Sequence, residues 1–444
     1  MATAKSTHLK DINNDLLSFL DKTPNSFFAV KNISDELTNQ GFERLLESKK
    51  WSIKKGGKYF VTRNDSAIIA FKIPAKKAAG FNIIATHTDS PAFMVKPNAE
   101  IEAGNQYIKL NVEKYGGMLC STWLDRPLSV AGRVVINTKN GIETRLVNID
   151  KNLMVIPNLC IHMNREANNN ASISIQKDML PIVGSLDVKG KFMDIIAKSI
   201  KVSEDDILDT DLYLYNREKG TIVGIDDEYI SSGRLDDLQC TFGAMKGLLE
   251  AADGSTSISM MAALDNEEVG SSTKQGADSS FLESVVKRIS TSLEMNDEDL
   301  EIALQSSFMI SADNAHAMHP NNMDKSDPVN KPQINKGIVI KYSGNQKYAT
   351  DAISGAILKK LCKKANVPFQ IFTNNSDSAG GSTLGNISSS HLSINTVDIG
   401  LPQLAMHSSY ELAGCKDTEY LISLAKCFYE CELKNNGKNG INLK

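Results

Sequence analysis

The sequence predicts an α/β fold: a mixed sheet flanked by helices, interrupted by an inserted, mostly β domain. Three observations predict it. Short apolar runs alternate with helical periods toward both chain ends, as where Ile258–Leu264 precedes Phe281–Leu293. Several runs stop on polar residues, as buried strands do when they deliver side chains to a ligand site. Between Ile101 and Tyr229 long helical periods are scarce, and short runs such as Arg133–Ile136 and Ile173–Ile175 are punctuated by Gly, Asn and Pro. The domains are therefore residues 1–98 and 231–444, two segments of one α/β domain, with residues 99–230 inserted between them.

In chain order, Leu16, Leu17 and Leu20 mark a short amphipathic helix. Phe27, Phe28, Val30, Ile33 and Leu37 mark a second, which begins near Ser26 and ends at Gly41. Trp51 to Ile73 alternates as antiparallel strands, with Lys55-Gly56-Gly57-Lys58 as their turn. Phe81–Thr86 is a strand that terminates in His87-Thr88-Asp89-Ser90-Pro91. After Ser232-Gly233-Arg234 come a helix at Leu238–Leu249, the strand Ile258–Leu264, the helix Phe281–Leu293 and the strand Phe308–Ser311. Tyr348–Ala365 reads as a long helix, Phe369–Phe372 and Thr396–Ile399 as strands, and Thr418–Leu433 as the closing helix. The Asn-, Gly- and Lys-rich tail from Asn435 to Lys444 reads as frayed.

Composition narrows the class. With 49 Lys and Arg against 53 Asp and Glu, no nucleic-acid partner is expected. No apolar run reaches the roughly 18 residues of a membrane span. Met1 to Lys10 lacks the apolar core of a secretion signal. Seven cysteines, odd in number and without a CxxC pair, fit reduced thiols in a cytoplasm.

The chemistry centres on Ser257 to Ser271. This apolar strand ends in Asp265-Asn266-Glu267-Glu268. Two adjacent buried carboxylates repel each other, and a divalent cation relieves the repulsion. Neighbouring side chains diverge, so one glutamate can bind metal while the other faces a substrate. His87, Asp236, Glu268, Asp313 and His407 each fall at a strand end or in the turn after one. Singly, each has a plain reading, such as a core histidine or a helix cap. Together they are two imidazoles and three carboxylates. If one carboxylate bridges two metals, each ion has three protein ligands and an open position for water. That donor set suits Zn²⁺, with Mn²⁺ or Co²⁺ as substitutes. Two such ions activate a water and polarise a carbonyl, and Glu267 is then placed to take the proton. The arrangement describes metal-assisted hydrolysis of an amide.

These motifs resemble the aspartyl aminopeptidases, a family of dinuclear zinc exopeptidases, over nearly the whole chain. The resemblance is carried by Thr23-Pro24 with Ser26-Phe27, by His87-Thr88-Asp89-Ser90-Pro91, and by Tyr115-Gly116-Gly117 with Ser121-Thr122-Trp123 and Asp125-Arg126. Gly233-Arg234-Leu235-Asp236-Asp237-Leu238, Asp265 to Ser271, and Pro402-Gln403-Leu404-Ala405-Met406-His407-Ser408 are its most specific parts. The resemblance implies a zinc exopeptidase-like fold, an inserted domain used in dimerisation, and a tetrahedral dodecamer of dimers. It implies peptide substrates with a free N-terminus. It puts one metal on His87 and Asp313 and the other on Glu268 and His407, with Asp236 bridging and Glu267 as general base. Asp89 would orient the His87 imidazole. His319 matches a family histidine beside the active site, and His316 has no assigned role. His162 would reach a neighbouring subunit's site and contact the developing oxyanion. Lys341, in the apolar run Ile338 to Tyr342, matches a lysine that pairs with an acidic substrate side chain; the alternative is that it pairs with a protein carboxylate.

Four rivals stand beside this reading. Ser378-Ala379-Gly380-Gly381-Ser382-Thr383-Leu384-Gly385 can cradle an anion as a nucleotide loop does, although it lacks the phosphate-loop ending. The family's usual Gly-Pro there is Gly385-Asn386 here, which bears on pocket shape. A shell-forming assembly protein would have lost a ligand or base, and none is missing. A two-metal deacylase or carboxypeptidase would share the ligand set, and a broad-specificity aminopeptidase would lack only the acidic preference.

Overall fold

The computed structural model describes residues 2–169, 172–378, 380–436 and 440–444. Helices α1 (Ala2–Asp21) and α2 (Ser26–Asn39) come first, then strands β1 (Glu43–Leu45), β2 (Lys58–Arg63), β3 (Ala67–Lys72) and β4 (Gly80–His87). Next are β5 (Ala92–Ala103), β6 (Tyr107–Tyr115), β7 (Leu128–Thr138), β8 (Gly141–Asn148), α3 (Ile175–Asp178), β9 (Ile182–Ser185), α4 (Lys191–Ile200) and β10 (Ile207–Asn216). They are followed by β11 (Thr221–Val223), β12 (Tyr229–Ser232), α5 (Leu235–Glu250), β13 (Ser257–Leu264), α6 (Phe281–Ser292), α7 (Asp297–Gln305), β14 (Phe308–Ala312) and β15 (Ala315–His316). The last are β16 (Ile338–Lys341), α8 (Ala352–Lys364), β17 (Phe369–Phe372), α9 (Leu384–His391), β18 (Asn395–Gly400), β19 (Pro402–Leu404), β20 (Glu411–Gly414), α10 (Asp417–Glu430), β21 (Leu433–Asn435) and β22 (Ile441–Leu443).

The chain divides into two compact units. The first is Met1–Asp89, Thr221–Met406 and Leu412–Lys444; the second is Ser90–Gly220 with His407–Glu411. The second unit therefore opens at Ser90 rather than residue 99, because β5 already belongs to its sheet. It gives way at Thr221 rather than residue 231, because β11 and β12 join a sheet with β20, β19 and β15.

The first unit is a nine-stranded mixed sheet in the order β1-β2-β3-β13-β4-β14-β18-β16-β17. Its middle strands β13, β4, β14 and β18 are parallel, while β3 and β16 run antiparallel to their neighbours β13 and β18. Strand residues alternate between faces. Ile84, Met261 and Ala263 pack with Leu16, Leu37, Leu238, Leu358 and Phe428, from helices α1, α2, α5, α8 and α10. Ile83, Ala85, Met260 and Ala262 pack on the other face with Phe281, Val285 and Leu384, from α6 and α9. Burial on both faces is why these strands read as unbroken apolar runs, and each buried Ile, Leu, Val, Met or Phe side chain contributes about 1.5–3 kcal/mol. Helices α5 and α10 approach closely at Gly243, where a Cβ would meet a Leu421 methyl carbon at 2.7 Å.

The second unit is a six-stranded antiparallel sheet, β8-β7-β10-β5-β6-β9. Its own core holds Phe93, Leu110, Trp123, Val130 and Leu212, with Phe192 and Ile196 of α4. Phe93 and Trp123 meet edge to face at 5.2 Å.

Three local expectations are corrected. The turn Lys55–Lys58 does not join two strands: Gly56 N–H bonds Ile73 O, and the β2–β3 hairpin turns at residues 64–66 instead. The helix expected from Tyr348 starts at Ala352, because Asp351 and Ser354 cap it reciprocally, at 2.7 and 3.0 Å. The described residues of the tail are paired rather than frayed, β21 with β22 from Leu433–Leu443 to Asn435–Ile441; residues 437–439 lie outside the described residues.

Candidate active site

The parallel middle strands end together. Leu264 of β13 is in register with His87 of β4, and β14 runs beside β4 to Ala312. The sheet therefore releases His87, Asp265 to Glu268, and Asp313 at one edge. Asp236 comes to the same place from α5, whose backbone is non-helical at Asp236 and Asp237 (ψ 112° and 21°).

His87 is fully enclosed. Its Nε2 lies 3.4 Å from Asp236 Oδ1 and 3.7 Å from Asp313 Oδ1. Ligand atoms around a tetrahedral zinc stand about 3.3 Å apart at bond lengths near 2.0 Å, so the three atoms match the spacing of one ion's ligands. Nδ1 of His87 meets the Asp89 carbonyl oxygen at 3.1 Å. A proton there leaves the Nε2 lone pair for a metal. His87, Asp236 and Asp313 thus each offer one ligand atom within 4.8 Å of the others, and so do His87, Glu267 and Glu268. The expected divergence of the two glutamates is incomplete, because they stand in a 3-10 turn, Glu267–Val269, rather than on an extended strand.

Asp89 holds that turn. Its Oδ1 accepts the Glu267 backbone N–H at 3.1 Å and its Oδ2 the Glu268 N–H at 3.2 Å. Asn266 supports the turn from a left-handed backbone (φ 60°), its Oδ1 accepting from Thr273 and Gln275 at 2.9 and 2.7 Å.

The electrostatics point to a cation. Burial disfavours the charged form of His87, yet hydrogen bonds with Asp236, Asp313 and Asp89 carry its pKa well above the ordinary value. Burial, with Asp313, Asp89 and Asp236 nearby, pushes the Glu267 carboxyl up to about 8 despite the opposing pull of His87. Burial also raises Asp237 well above the usual carboxylate range. This surplus of carboxylate around one imidazole nitrogen fits a divalent cation.

Asp313 divides its two oxygens. Oδ1 faces His87, while Oδ2 lies 3.4 Å from Lys341 Nζ. Lys341 also donates to the Asn314 carbonyl at 2.9 Å and is buried. Burial works to lower its pKa, but Asp313 foremost raises it above the ordinary lysine value. The expected substrate-facing lysine therefore has a protein carboxylate as partner, which was the alternative reading. Asn314 is itself locked, donating to Gln239 and Gln403 at 3.1 and 2.6 Å and accepting from the Cys240 thiol at 2.9 Å.

The remaining histidines differ in setting. His407 belongs to the second unit, with a positive φ of 66°. There its Nδ1 bonds the Gly117 carbonyl at 2.8 Å and its N–H bonds Glu411 at 2.8 Å. Like His87, it turns Nδ1 to a backbone carbonyl and keeps Nε2 for another partner. His162 is exposed in a turn of the second unit. His319 is exposed in the first, with Nδ1 accepting from Asn321 N at 3.2 Å. His316 is exposed, its ring T-shaped against that of Phe372 with centroids 6.1 Å apart.

The Gly-rich segment does not form a phosphate cradle at Thr383. That hydroxyl donates to the Asp398 carboxylate at 2.6 Å, and a Cβ at Gly385 would meet the same carboxylate at 2.6 Å. An anion there would be repelled. Ala379 of this segment lies outside the described residues. Sequence reasoning missed Asp237, whose Oδ2 accepts the His87 backbone N–H at 3.1 Å, and the Asn314 network. Asp237 was visible only as the neighbour of Asp236.

Comparison with known proteins agrees with this geometry. Residues 19–429 match the family described as Aminopeptidase I zinc metalloprotease (M18). A relative from Clostridium novyi named "Probable M18 family aminopeptidase 2" is 50% identical over 424 residues, covering 94% of this chain and 98% of the relative. The solved "Cryo-EM structure of the Ape4 and Nbr1 complex" superposes with a TM-score of 0.91 at 37% identity, over 95% of this chain and 86% of that one. The "Structure of S. cerevesiae mApe1 dodecamer" gives 0.83 at 28% identity, over 95% and 96%. This chain belongs to the M18 family of zinc metalloproteases and is a metallo-aminopeptidase.

Proposed function

We propose that this aminopeptidase is dinuclear, cleaves the first peptide bond of peptides with a free N-terminus, and prefers N-terminal Asp or Glu. The observation that carries the reading is the convergence of His87, Asp236 and Asp313, with Glu267 fixed beside them through Asp89. One ion would be held by His87 and Asp313 and a second by Glu268 and His407, with Asp236 bridging. His407, three residues beyond β19, has Nδ1 already bonded to a carbonyl, as a metal-ligating imidazole requires. Zn²⁺ suits these donors, and Mn²⁺ or Co²⁺ can replace it.

When bound, the ions lower the pKa of a water and polarise a carbonyl. Glu267 takes the proton of the attacking water at its carboxylate and hands it to the departing amine. Asp89 fixes the Glu267 backbone, so the base keeps its position through both transfers. His319 stands beside this centre in the reading carried from the family resemblance.

We assign His162 to the active site of a neighbouring copy, where it contacts the oxyanion. It sits beside exposed Leu159, Ile161 and Met163, an apolar patch of the kind that marks an interface. The solved dodecamer of a relative supports assembly of this chain into a dodecamer, and the family resemblance gives the second unit the role of dimerisation element. Mixed dimers of His162→Ala and Glu267→Gln would recover activity; no recovery would remove the assignment. A cytoplasmic location fits the seven free cysteines, and in the described residues no helix is long and apolar enough to cross a membrane.

The test is hydrolysis of Asp-anilide against N-acetylated amino acids, with metal content measured on the same sample. Cleavage of the anilide alone, with two ions per chain, supports the reading. Cleavage of the N-acetylated compounds alone would make the protein a deacylase.

A further inference from the structure

Asp236 and Asp313 belong to different stretches of the chain, yet their oxygens converge on His87 Nε2 at 3.4 and 3.7 Å. Neither sits inside a regular element. Asp236 lies where the backbone of α5 is non-helical, and Asp313 follows Ala312, the last residue of β14. Like charges held close together in a buried site repel, so something else has to fix their separation.

The residue after Asp313 does so. Asn314 is buried, and its main chain is anchored: Lys341 Nζ donates to its carbonyl at 2.9 Å. The flanking Asp313 and Ala315 N–H groups donate to the Ile399 and Leu401 carbonyls at 3.1 and 2.8 Å. From this fixed base the side chain reaches α5. Its Nδ2 donates to Gln239 Oε1 at 3.1 Å, and its Oδ1 accepts the Cys240 thiol at 2.9 Å. Burial foremost, with Asp237 beside it, pushes that thiol well above its ordinary pKa, so it stays a donor. Nδ2 also donates to Gln403 Oε1 of β19 at 2.6 Å, while Gln239 Nε2 donates to Thr418 Oγ1 of α10 at 3.0 Å. One amide therefore joins the segment that carries Asp313 to the first turn of α5 after Asp236.

Gln239, Cys240, Gln403 and Thr418 are buried as Asn314 is. Buried amides cost free energy unless they are hydrogen-bonded, and apolar side chains would fill the same space without that cost. A satisfied polar network does what an apolar filling does not: it rigidifies the parts it joins in one arrangement. Here those parts are the two carriers of carboxylates at the metal cluster.

We propose that Asn314 is a positioning residue for the metal centre, its amide setting the distance between Asp236 and Asp313 and thereby the affinity for the ion that both would hold. The inference rests on the metal assignment above and adds a residue that acts only through those two carboxylates.

The test uses the full-length protein, stripped with a chelator and titrated with Zn²⁺. Asn314→Ala raises the dissociation constant of one ion by about 10–100-fold, the usual loss when a residue that orients ligands is removed. Gln239→Ala cuts the same link from the helix side and gives a loss of similar size. The double variant loses no more than either single one, because both changes break one interaction. A dissociation constant within twofold of wild type in either single variant overturns the inference, whatever the melting temperature, and leaves the metal assignment standing. Additive losses in the double variant overturn it as well, since the two amides would then act separately. If Asn314→Ala does not fold, Gln239→Ala decides by the same limit. A wild type that binds no Zn²⁺, or whose affinity is unmoved by Asp236→Asn, overturns the metal assignment itself.

Discussion

Asp313 turns one carboxylate oxygen toward His87 and lends the other to Lys341, whose Nζ lies 3.4 Å away in a fully enclosed position. The lysine therefore neutralises and orients a proposed metal ligand. Removing it leaves a buried carboxylate without its cation, an effect worth about 3–5 kcal/mol when a buried pair is broken. Lys341→Met should lower kcat/KM for Asp-, Glu-, Ala- and Leu-anilides alike and weaken metal binding. Kinetics on the four substrates and elemental analysis check it. A loss confined to Asp and Glu would return Lys341 to the substrate pocket.

Asp89 serves two backbone donors with two oxygens. Asparagine keeps one acceptor, so in Asp89→Asn one of the Glu267 and Glu268 N–H groups loses its partner. Loss of such an orienting group typically costs about 10–100-fold in activity or metal affinity. We expect kcat to fall by that amount with the fold intact. Activity within twofold of wild type would show that the turn holds itself.

The bridging assignment separates two variants. Asp236→Asn should loosen both ions together, whereas His407→Ala should mainly release one. Metal content against free-metal concentration gives the answer for each. A single ion lost from Asp236→Asn would contradict bridging.

Away from the site, Asp417 accepts the Asn335 and Gly337 N–H groups at 2.7 and 3.0 Å, and burial pushes its carboxyl up to about 7 from 3.8. A folded-state pKa above the unfolded one contributes stability at pH below about 4, lost as pH rises through about 7. Asp417→Asn cannot titrate. Its melting temperature relative to wild type should therefore rise between pH 5 and pH 8. A pH-independent difference would show that Asp417 is ionised throughout.

Much of this was legible in the sequence because periodicity records burial. Ile258–Leu264 and Phe81–Thr86 read as strands since both faces of the sheet are covered. His87, Glu267 and Asp313 stood out because strand ends hold them. Less was legible where side-chain geometry decides. Lys341 beside apolar neighbours signalled a purpose, but only coordinates distinguish a substrate partner from Asp313. Asp351 moved the start of α8 by capping it, which hydrophobic spacing does not report. The tail hairpin was hidden because its polar composition resembles a loose end, while Leu433 packs into the core.

The most direct measurement is metal content and kcat of Glu267→Gln beside wild type. Glu267 is assigned as base and not as ligand, so the account predicts two ions per chain in both proteins. It predicts kcat lower by about 10²–10⁴-fold in the variant, the usual contribution of a general base. Near-wild-type kcat, or a loss of activity that tracks a loss of metal, would contradict it.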